Sequence, residues 1–464
     1  MRRLGERKEG SPERSELERL VRFYDPPAID DRPGSGHPTW LEANGWRLLA
    51  RPGLDGSGEE IQRFLLPDGR AISARLDPGT GRVNVPFSLA EVYLNYVHET
   101  WRRSTRLRAL SPRQLAAYYH LKRFIPRPVQ LSARRVLIRL QGDPEFPRWP
   151  LDESVFRLLR FYAKCALLTA GETDLPFIWF WPRPYKAAAL LTHDVESAEG
   201  LRLSVDIADA EEERGFRSLF NVVADEYPID WGIVRELRDR GFELGVHGLH
   251  HDRSMFSSRA AFDAQQPGVK RMAEKLGAEG FRSPALHRVV DWLGDLPVSY
   301  DSTVPHSDPY EPQPGGCCSL WPFFIKNLVE LPITLPQDHL LLALLGHRTI
   351  AVWQTQLERI ELMNGLAQIL THPDKGYLGE PKHRALYVEF LDFLRDRSDL
   401  WIPLPREAAE WWRSRDAGHD VDGRFMRGAA RLDGEGTVTL APESMLSRRE
   451  DIPHTVDVRR RLGA

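Results

Sequence analysis

An α/β fold built on a parallel sheet is predicted for residues 186–405. Three observations predict it. Apolar runs of strand length recur along this stretch, helical segments separate them, and polar residues stand where several runs end. The runs are Ala187–Leu191, Leu219–Val223, Phe242–Val246, Val298–Tyr300, Leu328–Ile333, Ile369–Thr371 and Leu400–Ile402. Helical spacing marks Ile233–Arg240, Val352–Met363 and Leu386–Arg395 between them. About seven or eight such units suit a barrel as well as an open sheet, and periodicity does not decide between the two.

The flanking regions read differently. Residues 1–35 are polar and charged and are expected to be loosely ordered. Residues 36–185 form an expected α+β region. Short apolar runs at Trp46–Ala50, Phe64–Leu66 and Ala71–Ala74 alternate with turn residues and predict strands. Residues 88–124 are expected to be helical, with Leu89, Val92, Tyr93 and Tyr96 on one face, followed by Leu115, Tyr118 and Tyr119. Residues 406–464 are expected to be a small appendage with strands near Phe425–Arg431 and Thr437–Leu440.

Composition excludes some classes of function. Lys plus Arg total 63 and Asp plus Glu total 66, so the formal net charge is -3. That balance gives no reason to expect nucleic acid or an anionic membrane as a partner. The three cysteines, Cys165, Cys317 and Cys318, make a poor disulfide framework and point to a reducing compartment. Met1–Leu20 has no apolar run of the secretory kind, and Leu340–Leu345 is far too short for a membrane span. A soluble, cytoplasmic protein is therefore expected.

The chemistry gathers at strand ends, where parallel α/β proteins build their sites. Thr192-His193-Asp194-Val195-Glu196 follows the first run, and His247-Gly248-Leu249-His250-His251-Asp252 follows the third. Phe281-Arg282-Ser283-Pro284 and Thr371-His372-Pro373-Asp374 complete the set. Each alone has a plain structural reading: a capping aspartate, a turn histidine, a surface arginine. With 15 His in the chain, chance alone predicts about half of one pair four residues apart, so the spacing of His247 and His251 proves nothing by itself. The joint placement carries the case. Two imidazoles and a carboxylate suit a borderline metal ion and leave positions open for water and substrate. A second carboxylate accepts a proton from that water, a third histidine protonates the leaving nitrogen, and Arg282 holds the base carboxylate through a bidentate contact.

The order of these motifs resembles the polysaccharide deacetylases, the NodB-type domain of carbohydrate esterase family 4. His247 and His251 match its His-x-x-x-His motif, Arg282 and Pro284 match Arg-x-Pro, and Ile369, His372 and Pro373 match its last motif. Tyr300-Asp301-Ser302 is similar to a further family segment. The resemblance spans about residues 186–405. It implies a distorted (β/α) barrel of the glycoside hydrolase/deacetylase type, a divalent metal ion, expected to be zinc, and an N- or O-acetylated carbohydrate as substrate. By analogy Glu196, His247 and His251 are the metal ligands, Asp194 is the general base and His372 the general acid, with Arg282 beside the base. The first motif departs from the adjacent aspartates usual in the family, because Val195 separates Asp194 from Glu196. The reversed assignment, with Asp194 as ligand and Glu196 structural, stays open.

Other residues have mostly structural readings. His193, His250 and Asp252 are near neighbours, His287 is a candidate to line the cleft, and Asp338 is read chiefly as a cap. Trp179, Trp181, Trp321 and Trp353 are weighed as sugar-stacking residues against simple packing. No Gly-rich phosphate loop or Ser-x-x-Lys motif supports a nucleotide or acyl-serine enzyme. Two rivals remain: a related barrel hydrolase of a non-sugar amide, and a non-catalytic glycan-binding protein with a decayed site.

Overall fold

The computed structural model describes residues 15–24, 29–104, 129, 132–136, 138, 144–311, 313–420 and 423–446. Its central feature is a nine-stranded sheet formed by β8 (Ala187–Val195), β9 (Leu219–Val222), β10 (Glu243–Val246), β11 (Gly280–Phe281), β12 (Tyr300–Asp301), β13 (Phe323–Ile325), β14 (Leu328–Glu330), β15 (Leu366–Thr371) and β16 (Leu400–Trp401). Every pairing in it is parallel except the β13–β14 hairpin. All nine residues of β8 are buried, as expected for a strand covered on both faces. The crossovers carry helices α3 (Ala198–Glu212), α4 (Trp231–Asp239) and α5 (Arg259–Leu276), then α6 (Ala351–Leu362) and α7 (Pro381–Arg395). Ser197, Asp230 and Ser258 each accept a backbone N–H at the starts of α3, α4 and α5.

The strand path is open, and this qualifies the expected barrel. It runs from β13 to β15 without a ladder joining β14 to β15. Pro332 has no N–H to give a ladder, and the chain after β14 crosses the gap irregularly. The Ile333 N–H bonds back to the Val304 carbonyl at 3.1 Å. The Thr334 and Leu335 N–H groups instead reach the Gln368 carbonyl in β15, at 3.2 and 2.9 Å.

A second sheet of six strands occupies the N-terminal region: β1 (Asp30–Asp31), β2 (Thr39–Ala43), β3 (Trp46–Ala50), β4 (Glu59–Leu65), β5 (Ala71–Asp77) and β6 (Arg82–Val85). Asn44 and Gly45 link β2 to β3 with φ of 51° and 72°, the conformation a tight two-residue hairpin demands. Helices α1 (Leu89–Val97) and α2 (Ser154–Ala170) bury their apolar faces, including Val92, Tyr93, Leu158 and Leu159. Within the expected helical stretch 88–124, α1 is followed by a short 3-10 turn at Thr100–Ser104, and residues 105–124, Leu115, Tyr118 and Tyr119 among them, lie outside the described residues.

Described parts of both flanking regions contact the rest of the fold. Within residues 1–35, Glu16–Leu20 forms a helical turn with a Ser15 capping box and buried Leu17 and Leu20. Within 406–464, described residues pack against and pair with earlier parts of the chain. Helix α8 (Pro405–Ala417) buries Trp411, Trp412 and Arg415, and β17 (Arg427–Leu432) pairs with both β18 (Val438–Pro442) and β7 (Asp174–Ile178). Arg415 is fully buried and bonds four backbone carbonyls, at Arg19, Leu20, Ile178 and Trp179, which joins the N- and C-terminal segments. Cys165, Cys317 and Cys318 are buried free thiols. Among the described residues, no helix is long and apolar enough to cross a membrane.

Candidate active site

The carboxyl ends of β8, β10 and β15 bring Asp194, Glu196, His247 and His372 to one cavity, His251 joins them from the loop after β10, and Arg282, at the end of β11, is buried behind Asp194. One ligand atom from each of Glu196, His247 and His251 lies within 4.8 Å of the other two. His251 Nε2 is 2.9 Å from Glu196 Oε1, although the angles are not those of a hydrogen bond. The Nε2 atoms of both histidines are buried and without a hydrogen-bond partner among the described residues. An unsatisfied buried imidazole nitrogen is costly unless something else binds it. His247 Nδ1 lies 3.1 Å from the Arg282 carbonyl. A carbonyl only accepts, so the proton sits on Nδ1 and the Nε2 lone pair faces the cluster, the outer-shell arrangement of a metal-binding histidine. The residues therefore fit a divalent ion.

Asp194 is almost fully buried, at 2% exposure. Burial raises its pKa, but Arg282 first, then His247 and His372, and a bond from Asn221 outweigh burial and hold it below its ordinary value. Its Oδ1 accepts from Arg282 Nη1 and Asn221 Nδ2, both at 2.9 Å, while Oδ2 lies 3.7 Å from His247 Nε2. The expected bidentate contact is thus a single one. The rest of the guanidinium fork is drawn away by Ser302, with Nε donating to its carbonyl and Nη2 to its hydroxyl, each at 2.7 Å. Glu196 is also lowered. Burial opposes this, and the charges of His251, His372 and His247 dominate. Its backbone N–H donates to Asp374 Oδ2 at 3.0 Å.

His372 is held at two points by Asp338. Its backbone N–H donates to Asp338 Oδ2 at 2.9 Å, and its Nδ1 meets Oδ1 at 2.7 Å. Its Nε2 is 3.6 Å from Glu196 Oε1. Burial lowers the basicity of this imidazole, but Asp338, Glu196 and Asp194 together push its pKa up to about 10. His247 is the opposite case: burial outweighs Asp194 and brings it down to about 4. His251 is raised, because Glu196 overcomes its burial.

Several other candidates sit elsewhere. His193 points into the protein between Thr371 and Glu211, with ring nitrogens 2.7 and 2.8 Å from their oxygens. His250 is exposed. Asp252 and His287 line the cavity, and burial brings the His287 pKa down to about 4. Trp179, Trp181, Trp321 and Trp353 are buried in the core with their indole N–H groups bonded to backbone carbonyls, so none offers a stacking face. Asp338 does cap the His339 N–H, as expected, but the same carboxylate also holds His372. Cavity or support residues not singled out from the sequence include Asn221, Tyr377, His339, Glu311 and Arg134. Asn221 had a signal, a lone amide inside the Leu219–Val223 run, and it is accommodated by Gly245 opposite, where a Cβ would come within 2.1 Å of its Oδ1.

A protein from Mycobacterium smegmatis assigned to the polysaccharide deacetylases has a similar structure, with a TM-score of 0.41 and 18% identity over 51% of this chain and 93% of its own. A Pseudomonas aeruginosa PAO1 protein assigned likewise gives 0.40 and 12% over 53% and 96%, and PuuE allantoinase gives 0.38 and 12% over 53% and 95%. No protein-family profile and no curated protein matches the chain.

Proposed function

We propose that this chain is a metal-dependent hydrolase that removes acetyl groups from an N- or O-acetylated carbohydrate, using residues 186–405 as a distorted (β/α) barrel. The observation that carries the reading is the convergence of Glu196, His247 and His251, with two buried, unsatisfied Nε2 atoms, beside Asp194 and His372. These three residues hold the ion, and a two-nitrogen, one-oxygen set with open positions suits zinc. Such an ion, when bound, polarises a carbonyl and lowers the pKa of water.

The chain's own residues supply the remaining chemistry. Asp194 stays ionised at neutral pH, and its Oδ1 is committed to Arg282 and Asn221. Its Oδ2 is left to accept the proton of the attacking water. Arg282 fixes the direction of that carboxylate, and Ser302 fixes Arg282. His372 keeps its Nδ1 on Asp338, so Nε2 is the atom that hands a proton to the leaving nitrogen or oxygen. The buried free thiols suit a reducing compartment, and the cytoplasm is the proposed location.

Metal analysis combined with an acetate-release assay on N-acetylated sugar oligomers and on small linear and cyclic amides tests this reading. Stoichiometric metal with acetate released from the sugars supports it. Turnover of the non-sugar amides alone transfers the site to another substrate class. A folded protein that binds sugar but no metal is a glycan-binding protein.

A further inference from the structure

The N-terminal region contributes a cation to the cleft. Arg134 lies in the helical residues 132–136. Next to it, Arg135 donates from Nε to the Leu344 carbonyl and from Nη2 to the Ala343 carbonyl, at 2.9 and 2.7 Å. These bonds dock the segment on the end of the helical turn His339–Leu344, where carbonyls lack partners of their own. Arg134 Nη1 then donates to His339 Nε2 at 3.0 Å and Nη2 to the Tyr310 carbonyl at 2.9 Å. The side chain is 19% exposed and lines the same cavity of about 150 Å3 as Glu196, His247, His251 and His372.

Its donors are only partly used. A guanidinium has five N–H groups. Two are hydrogen-bonded among the described residues, so the Nε–H and one hydrogen on each Nη are not. The nearest opposing charge is Glu311, at 3.9 Å, and Oε1 of that carboxylate already accepts from Gln337. Arginine only donates, so His339 Nε2 accepts, its proton rests on Nδ1, and the ring is neutral. The His339 and Tyr377 rings stack at 5.6 Å, and the Tyr377 ring lies 4.9 Å from that of His372. Arg134 thus stands two ring contacts from His372.

We infer that Arg134 forms an anion-recognising subsite, which takes a carboxylate or phosphate carried by the acetylated substrate. This rests on the deacetylase reading of the cavity. A planar fork with three unspent donors matches the oxygens of such a group bidentately, and in a narrow cavity little water competes. A neutral His339 adds no rival charge on that side.

Calorimetric titration of the metal-loaded full chain tests this with N-acetylglucosamine, its 6-phosphate and N-acetylmuramic acid, on the wild type, Arg134→Gln and Arg134→Lys. The wild type is expected to bind at least one anionic sugar about tenfold or more tighter than the neutral one. Which of the two it favours separates phosphate from carboxylate. Arg134→Gln is expected to erase the preference and leave the neutral sugar's affinity unchanged, and Arg134→Lys to keep part of it. Thermal melts check that both variants fold. Equal wild-type affinities, or a preference that survives in Arg134→Gln, overturn the subsite. If no acetamido sugar binds, the deacetylase reading falls, and malonate is titrated into the metal-free chain. Binding lost in Arg134→Gln then supports the subsite; binding that is absent or unaffected overturns it.

Discussion

Asp338 and His372 are 34 residues apart and joined twice: one carboxylate oxygen accepts the histidine's backbone N–H at 2.9 Å and the other meets its Nδ1 at 2.7 Å. This fixes both the position of the ring and its tautomer. Asp338→Asn is expected to lower turnover roughly 10–100-fold, the usual cost of losing such an outer partner, while metal content stays unchanged. Parallel kinetics and metal analysis check this. Loss of metal from the variant would move Asp338 out of a purely positioning role.

The two carboxylates after β8 are expected to separate cleanly. Asp194→Asn removes the proton acceptor while the amide still receives bonds from Arg282 or Asn221. It should abolish acetate release and largely spare metal. Glu196→Ala removes an anionic ligand and should weaken metal binding. Metal content and acetate release on both variants decide the matter. The reverse pattern, with Asp194→Asn free of metal and Glu196→Ala retaining it, exchanges the two roles.

Arg282 is fully buried, and its guanidinium is divided between Asp194 and Ser302. Arg282→Met leaves Asp194 buried beside no compensating cation. Destabilisation of about 3–5 kcal/mol is expected. Arg282→Lys keeps a charge but loses the fork, so activity should still fall clearly. Denaturant unfolding and turnover measured side by side test both, and wild-type turnover in Arg282→Lys would show that the fork does not matter.

The positions of the site were legible where each residue followed an apolar run. Asp194 and Glu196 follow Ala187–Leu191, His247 follows Phe242–Val246, and His372 follows Ile369–Thr371. Their supports were not. Asp338 reaches His372 across 34 residues and Asn221 reaches Asp194 from the neighbouring strand across 27, and no local pattern encodes a contact between segments that only the fold brings together. The strand β11 has two residues, too few to show a period, and β13 turned a parallel sheet antiparallel at its edge. Helix spacing placed α4, α6 and α7 within a few residues, because amphipathic repeats are long enough to be read. Trp179, Trp181, Trp321 and Trp353 pack in the core, in line with the mostly structural reading given them, though a large aromatic in a sequence looks the same whether it faces a ligand or the core.

Glu243 gives the fold a pH dependence. Its carboxylate is buried at the start of β10, accepts from the Tyr300 hydroxyl at 2.6 Å and the Arg406 N–H at 3.1 Å, and is pushed up to about 7 by burial. A carboxyl with a raised folded pKa favours the folded state when protonated. Its contribution is therefore complete below the unfolded value and is lost as pH rises towards 7, at a cost of about 3 kcal/mol. Glu243→Gln, which resembles the protonated acid, is expected to gain stability against the wild type at pH 8.5 relative to pH 5. Urea unfolding of the two proteins at both pH values measures it, and a difference that does not change with pH would place the titration elsewhere.

One carboxylate serves two masters in this cleft. Asp338 Oδ1 accepts the His339 N–H at 2.7 Å, at the head of the turn His339–Leu344, and meets His372 Nδ1 at the same distance. Any change that shifts that turn, whether made to His339, to its neighbours or to the segment docked on its far end, also shifts the histidine. Ligand preference and rate are then not separate traits of this protein. A laboratory that alters the turn in order to broaden what the cleft accepts should expect slower chemistry from the same mutation, and restoring the rate would call for a second change at Asp338 itself.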